Sequence, residues 1–375
     1  MAFRSSNTSA ISRKLGKTDR RMLLRLNTAV SCPKLEPRLS GWLNPRGDCM
    51  QYDTVFVLGA GASRDLDENF PVGSQLAHQI EQTMASEIQA GPYNCGQGTV
   101  SYALLQYGGF GEAEAKAMRR ILDGVSASDS IDKFIDEWQG YARLQEIAKI
   151  SIALHILNAE RSSHLSKLKV GAPTNAALLR SLKPRWIGTI ANNAGGDLRR
   201  RDFEERLANI AFVTFNYDRT LEWYLAHYIS TSFDVRYEEA VEFVREMPIM
   251  HVYGSLGDPF SGDHFQFGSP DQFAYYAAKN ILTFCEEVNS DHARSIAEIM
   301  LSARKTVFLG CAFHKPNLRL LYPHDMPPRN TVYGTCQMMR DRQLDAVRGY
   351  FEGCQVNLRN QSCTDLMNEA WEDIL

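Results

Sequence analysis

The sequence predicts an α/β protein: a Rossmann-like, mostly parallel sheet flanked by helices, with a helical insertion. Two observations carry this. Short, continuously apolar runs that are rich in β-branched and aromatic residues end abruptly in glycine or polar residues, as strands buried on both faces do. Most of these runs are separated by stretches of helical periodicity, the pattern of crossover connections in a parallel sheet.

The first run is Thr54-Val-Phe-Val-Leu58, which passes at once into Gly59-Ala-Gly-Ala-Ser63. After Pro71, apolar residues recur at helical spacing: Leu76, Ile80 and Met84, then Met118, Ile121, Leu122 and Val125. The pattern resumes at Ile131, Phe134, Ile135 and Trp138, and again at Leu144, Ile147, Ile150, Leu154 and Leu157. This stretch predicts a helical insertion with a glycine-rich loop near Gly91–Gly111. Strand-like runs return at Ala211–Phe215, Ile249–Tyr253, Thr306–Leu309, Val332–Thr335 and Gln355–Leu358. The expected organisation is a basic extension over 1–50, a nucleotide-binding domain over 51–73 and 205–375, and a helical subdomain over 74–204.

Composition narrows the function classes. The chain has 375 residues, 44% hydrophobic and 23% charged, which suits a folded protein with a sizeable core. Its formal charge of −3 gives no overall basic field, so direct nucleic-acid binding is not indicated. No apolar run is long enough for a membrane span. The eight cysteines include no C-x-x-C pair, so neither a disulfide scaffold nor a cysteine zinc site is expected, and the thiols suit a cytoplasmic protein. The histidines form no metal spacing, and Glu286 and Glu287 read as a solvated face. The first fifty residues differ from the rest, with ten Lys or Arg against Asp19, Glu36 and Asp48. They carry no secretory h-region and read as a flexible or interface arm; a basic, acid-poor start also fits an organelle transit peptide.

Open α/β sheets bind ligands beyond the carboxyl ends of their strands, so the residues after each run are the site candidates. Gly59-x-Gly61 can let a phosphate approach the backbone at a helix start, or can be a tight turn alone. Arg64 stands where a full dinucleotide fingerprint has its third glycine, which disfavours a conventional dehydrogenase. Asn216 and Asp218 follow a strand and aim an amide and a carboxylate toward the crevice; Asp218 can equally cap the next helix. His251 sits in a short apolar strand, either as a core residue or as a proton acceptor facing the crevice.

In this order the motifs resemble the sirtuin-like NAD-hydrolase domain of prokaryotic anti-phage systems. The matching string is Gly59-Ala-Gly-Ala-Ser63, Pro71, Ser130-Ile-Asp-Lys-Phe134, Thr214-Phe-Asn-Tyr-Asp218, His251-Val-Tyr-Gly-Ser255, and Phe308-Leu-Gly-Cys-Ala-Phe313 with Asn317. The resemblance implies cleavage of NAD, as substrate, to nicotinamide and ADP-ribose. Gly59, Ala60 and Gly61 would cradle the phosphates, with Ala62 and Ser63 beside them. Asn216 would hold the nicotinamide ribose and a water, Asp218 would face the carboxamide, and His251 would act as general base or ribose-hydroxyl partner. Gly254, Ser255, Gly310 and Asn317 would complete the NAD pocket.

Zinc-bearing deacylases of the wider group carry two C-x-x-C pairs and a Pro-Asp-Phe-Arg segment. Here the corresponding segment reads Asn69-Phe-Pro-Val-Gly73, so hydrolysis without a metal is favoured over deacylation, while transfer of ADP-ribose to another acceptor stays open beside hydrolysis. Chains of this size in the group, without an appended sensor domain, resemble the subunits that assemble with a HerA-type hexameric ATPase. The resemblance therefore also implies a homo-oligomer under partner control. A non-catalytic module that binds NAD or ADP-ribose is the alternative from another class.

Overall fold

The computed structural model describes residues 51–375 except 129, 196–202, 204–205, 284–290, 324–326, 328 and 338. The basic extension expected over 1–50, the domain boundary at 204–205 and the Glu286–Glu287 pair lie outside the described residues. At the centre is a six-stranded, all-parallel sheet in the order β3-β2-β1-β4-β5-β6. The strands are β1 (Thr54–Leu58), β2 (Ile210–Thr214), β3 (Ile249–His251), β4 (Lys305–Leu309), β5 (Thr331–Thr335) and β6 (Gln355–Arg359). This α/β architecture is the one the apolar runs predict, and its strand order is the doubly wound one.

Burial explains the order. Every residue of β1 and β2 is buried, as the unbroken apolar runs require of central strands covered on both faces. The edges are weaker: β3 has three residues, and β6 is partly exposed along its whole length. Thr54 pairs with Ile210 on one side and Lys305 on the other, so the carboxyl ends of β1, β2 and β4 finish level. The order reverses between β1 and β4, which makes their carboxyl ends the topological switch point.

Helices α1 (Ala60–Leu66), α2 (Gly73–Ala90), α3 (Glu112–Gly124), α4 (Ile131–Glu137) and α5 (Ala142–Ser162) follow β1. Their buried residues, among them Leu76, Ile80, Met84, Met118, Ile121, Ile147 and Leu154, are those the helical spacing selects. The later part of α5 is buried on nearly every side, so this helix forms the middle of the insertion. The glycine-rich stretch before α3 is broken into short helical turns, Pro92–Asn94, Val100–Ala103 and Leu104–Gly108.

Two more helices of the expected insertion, α6 (Asn175–Leu182) and α7 (Trp186–Gly195), pack against the sheet layer instead of extending the α2–α5 cluster. They lie with α8 (Thr220–Ser232), α9 (Tyr237–Glu246) and the C-terminal α13 (Cys363–Ile374) in one core with Phe56, Leu58, Phe212 and Leu309. The Trp186 indole donates to the Ala62 carbonyl at 2.9 Å, tying α7 to the glycine turn. The remaining connections are α10 (Asp291–Ser302), α11 (Lys315–Leu321) and α12 (Asp341–Tyr350). The described chain forms one compact unit. Its cysteines form no disulfide, and no described helix is long and apolar enough to cross a membrane.

Candidate active site

Glycine is required at the switch point because two backbones meet there. Gly310, after β4, has φ +63°, and a Cβ on it would lie 2.1 Å from the Ala62 nitrogen. A Cβ on Gly59 would lie 2.5 Å from the Gly310 oxygen, and one on Gly61 would lie 2.8 Å from the Gly310 Cα. The Gly59 N–H donates to the Leu309 carbonyl at 2.9 Å, that of Gly61 to Gly310 at 3.1 Å, and that of Ala62 to Gly59 at 2.8 Å. Gly59, Ala60 and Gly61, expected to cradle phosphates, form this turn. The two flanking glycines serve close approach of the β4 turn, and three of the turn's N–H groups are already bonded within the chain.

Beside this turn, the end of β2 carries a continuous polar chain. The Asn216 amide donates to the Gly59 carbonyl at 3.0 Å and to the Ser63 hydroxyl at 2.9 Å. Ser63 in turn donates to Asp218 Oδ2 at 2.8 Å. Asp218 Oδ1 accepts from the Thr220 N–H and hydroxyl at 3.2 and 2.7 Å, just ahead of α8. Both oxygens of Asp218 are thus engaged, Oδ1 by Thr220 and Oδ2 by Ser63. Burial pushes the Asp218 carboxyl up, against the hydrogen bonds from Thr220 and Ser63.

Asn216 is 8% exposed, and its Oδ1 is buried without a hydrogen-bond partner among the described residues. Its two amide hydrogens are fixed by acceptors, so the free oxygen is held in one orientation. An orphaned, oriented oxygen at the switch point is a feature that a ligand would satisfy.

His251 ends β3, next to Thr214 of β2. Its Nδ1 lies 2.8 Å from the Asn216 carbonyl oxygen and its Nε2 lies 2.7 Å from Glu222 Oε1. Burial pulls the imidazole down, but the charge and hydrogen bond of Glu222, with the Asn216 carbonyl, outweigh it and the net direction is up. Glu222 moves the opposite way: burial raises its carboxyl, while the His251 charge and hydrogen bond bring it below its ordinary value. The two directions agree on an ion pair. An imidazolium has no lone pair with which to accept a proton, so the ring can act as a base only after it has lost one.

A second polar group sits on the same edge. Tyr217 donates to Asp132 of α4, whose carboxyl burial pushes up against that hydrogen bond. The Tyr253 hydroxyl donates to Asn317 Oδ1 at 2.8 Å, bringing α11 to the turn after β3. Gly254 has φ +65°, and a Cβ on it would lie 2.0 Å from the Asn280 carbonyl. The Ser255 hydroxyl accepts from the Gly257 N–H at 3.3 Å and serves its own turn.

Sequence reasoning missed Glu222 and the pair behind the site. Arg219 and Glu160 are fully buried, with Nη2 2.5 Å from Oε2. Glu160 also accepts from the Arg219 N–H and Nε and from the Gly268 N–H. This pair fastens α5 of the insertion to the first residue after Asp218. Glu222 is the acidic residue of the first turn of α8, the one local signal that could have found it.

An open cleft of about 240 Å³ lies past α1, lined by residues including Glu68, Gln79, His155 and Asn158. Among the described residues, no group of three or more His, Cys, Asp or Glu is placed to hold a metal ion.

A family model described as a SIR2-like domain matches residues 210–325, just under a third of the chain. The match runs from β2 past β4 and α11 and includes Asn216, Asp218, Glu222, His251, Gly254, Gly310 and Asn317. No curated protein and no solved structure matches the chain. Over those residues the chain is similar to a SIR2-like domain, a similarity that fits an NAD-related function.

Proposed function

We propose that the protein is an NAD glycohydrolase that cleaves NAD between nicotinamide and ribose, releasing nicotinamide and ADP-ribose. One observation carries this: the buried, unpartnered Oδ1 of Asn216, oriented by Gly59 and Ser63, at the switch point of a sheet whose carboxyl-end residues match a SIR2-like domain. Cleavage of the glycosidic bond builds positive charge on the ribose. A fixed amide oxygen in a site sheltered from water stabilises that charge without having to reorganise.

Asp218 acts at one remove, holding the Ser63 hydroxyl that receives the Asn216 amide. Glycines at 59, 61 and 310 keep two strand ends close enough for one ligand to touch both. Asn317 and Tyr253 border the same edge. The absence of a cysteine zinc module favours water over an acyl-lysine substrate.

The wider role is NAD depletion in anti-phage defence by a cytoplasmic homo-oligomer regulated by assembly or a HerA-type ATPase partner. It is supported by the order of the sequence motifs. A second reading, a module that binds NAD or ADP-ribose without turnover, is favoured by the engagement of both His251 nitrogens.

Incubating the full chain with NAD, with and without a HerA-type partner, and separating the products by chromatography distinguishes the two. Nicotinamide with ADP-ribose supports the hydrolase. Calorimetric binding with no product under either condition supports the module.

A further inference from the structure

We propose that Glu222 is a positioning residue for NAD cleavage, acting only through His251, whose ring it orients and whose second proton it holds. It rests on the NAD reading of the site above and assigns a role to a residue that the sequence motifs do not mark.

The geometry is decisive about the protons. The partner of Nδ1 is the Asn216 carbonyl oxygen at 2.8 Å, which can only accept, so Nδ1 carries hydrogen. The partner of Nε2 is a carboxylate oxygen at 2.7 Å, which also accepts, so Nε2 carries hydrogen as well. A ring flip would place carbon atoms against both acceptors, so the pair fixes orientation as well as charge. The side chains of His251 and Glu222 are 12% and 14% exposed, which leaves water little access to screen them.

Glu222 Oε2 is buried and has no hydrogen-bond partner among the described residues. The carboxylate is therefore held through Oε1 and His251, and its placement serves the ring. The other charged and titratable groups facing the pair do not replace it. Asp218, at the entry to α8, adds negative charge near the ring, and Arg219 acts on Glu222. His292 of α10 meets the His251 carbonyl at 2.9 Å and is itself pulled down by burial.

His251 can take a proton from a substrate hydroxyl or a water only after its Nε2 proton has left to solvent and, with the ion pair lost, Nε2 has turned from Glu222 Oε1. Cleavage therefore rises with pH along a limb set by this pair. Glu222→Gln keeps the length and one hydrogen bond but removes the charge. Removing an opposite charge at this range moves the ring, and the limb with it, toward acid by about 1–3 pH units. Glu222→Asp keeps the charge at a longer reach and gives an intermediate position.

The experiment records nicotinamide release by the full chain from about pH 5 to about pH 9 for wild type, Glu222→Gln and Glu222→Asp. In parallel, the His251 ring carbon resonance is titrated by NMR and assigned by its loss in His251→Gln. A parallel acid shift of limb and titration, ordered wild type, Asp, Gln, confirms the proposal. The same titration in wild type and Glu222→Gln overturns it whatever the turnover, and so does a fall in rate with no movement of the limb. If wild type cleaves no NAD yet the titration shifts, the NAD reading fails while the clamp on His251 stands. Should Glu222→Gln not fold, the Glu222→Asp titration decides alone.

Discussion

Replacing Glu160 with alanine strips four donors of their acceptor at once. The Arg219 backbone N–H, Nε and Nη2 and the Gly268 N–H all bond to that one carboxylate, and both side chains are fully buried. Arg219 would keep its charge with only the carbonyls of Gly257, Phe265 and Gln266 to receive it. Removing one partner of a buried pair costs about 3–5 kcal/mol. At about 2–4 °C per kcal/mol for a domain of this order of size, the midpoint should fall by about 10 °C. Thermal unfolding followed by circular dichroism measures this directly.

The stronger test is the double variant Glu160→Leu with Arg219→Met. Apolar replacement of both charges removes the uncompensated ion, so the double variant should melt above Glu160→Ala. A fall below about 2 °C in Glu160→Ala, or a double variant no more stable than the single, refutes the reasoning. Because Arg219 follows Asp218 directly, nicotinamide release by Glu160→Ala should fall even at temperatures where it remains folded.

Two further outcomes follow from burial and backbone geometry. Gly310→Ala should be strongly destabilising, since its Cβ would sit 2.1 Å from a backbone nitrogen at φ +63°, whereas Gly73→Ala, with nothing within 4 Å, should be neutral or mildly stabilising; equal melting temperatures would contradict this. Burial pulls the His227 imidazole down to about 4, so the folded state resists a proton that the unfolded state accepts near 6.5, and stability should fall as pH drops through that window. His227→Phe, keeping a ring against Trp223, should flatten that part of the stability-against-pH curve, and an unchanged slope would count against it.

Much of the fold was legible because its signals are local. Thr54–Leu58 is a strand because β-branched and aromatic residues run unbroken into glycine, and the observed bounds coincide. Leu76, Ile80 and Met84 mark one buried stripe of α2, as their spacing requires. The run Ile249–Tyr253 was legible only in part: the strand stops at His251, where Val252 and Tyr253 turn toward Gly254. The packing of α6 and α7 on the sheet was not legible, because apolar periodicity shows that a helix is buried but not against what.

The site divides in the same way. Asn216, Asp218, His251 and Gly310 stand out because strand ends carry sites and their types are unusual there. What each side chain meets depends on contacts far apart in sequence. Asn216 reaches back to Gly59 and Ser63, His251 to Glu222, and Arg219 to Glu160. No local pattern carries such pairings, so the role of His251 as one half of an ion pair emerged only from the structure.

The most direct measurement is nicotinamide release from NAD by wild type and Asn216→Ala under the same activating conditions, with melting temperatures recorded for both. Stoichiometric nicotinamide and ADP-ribose from wild type, with none from a folded Asn216→Ala, is the predicted result. Release at the wild-type rate by the folded variant would contradict the account, because the amide oxygen at the strand end would then have no part in breaking the bond.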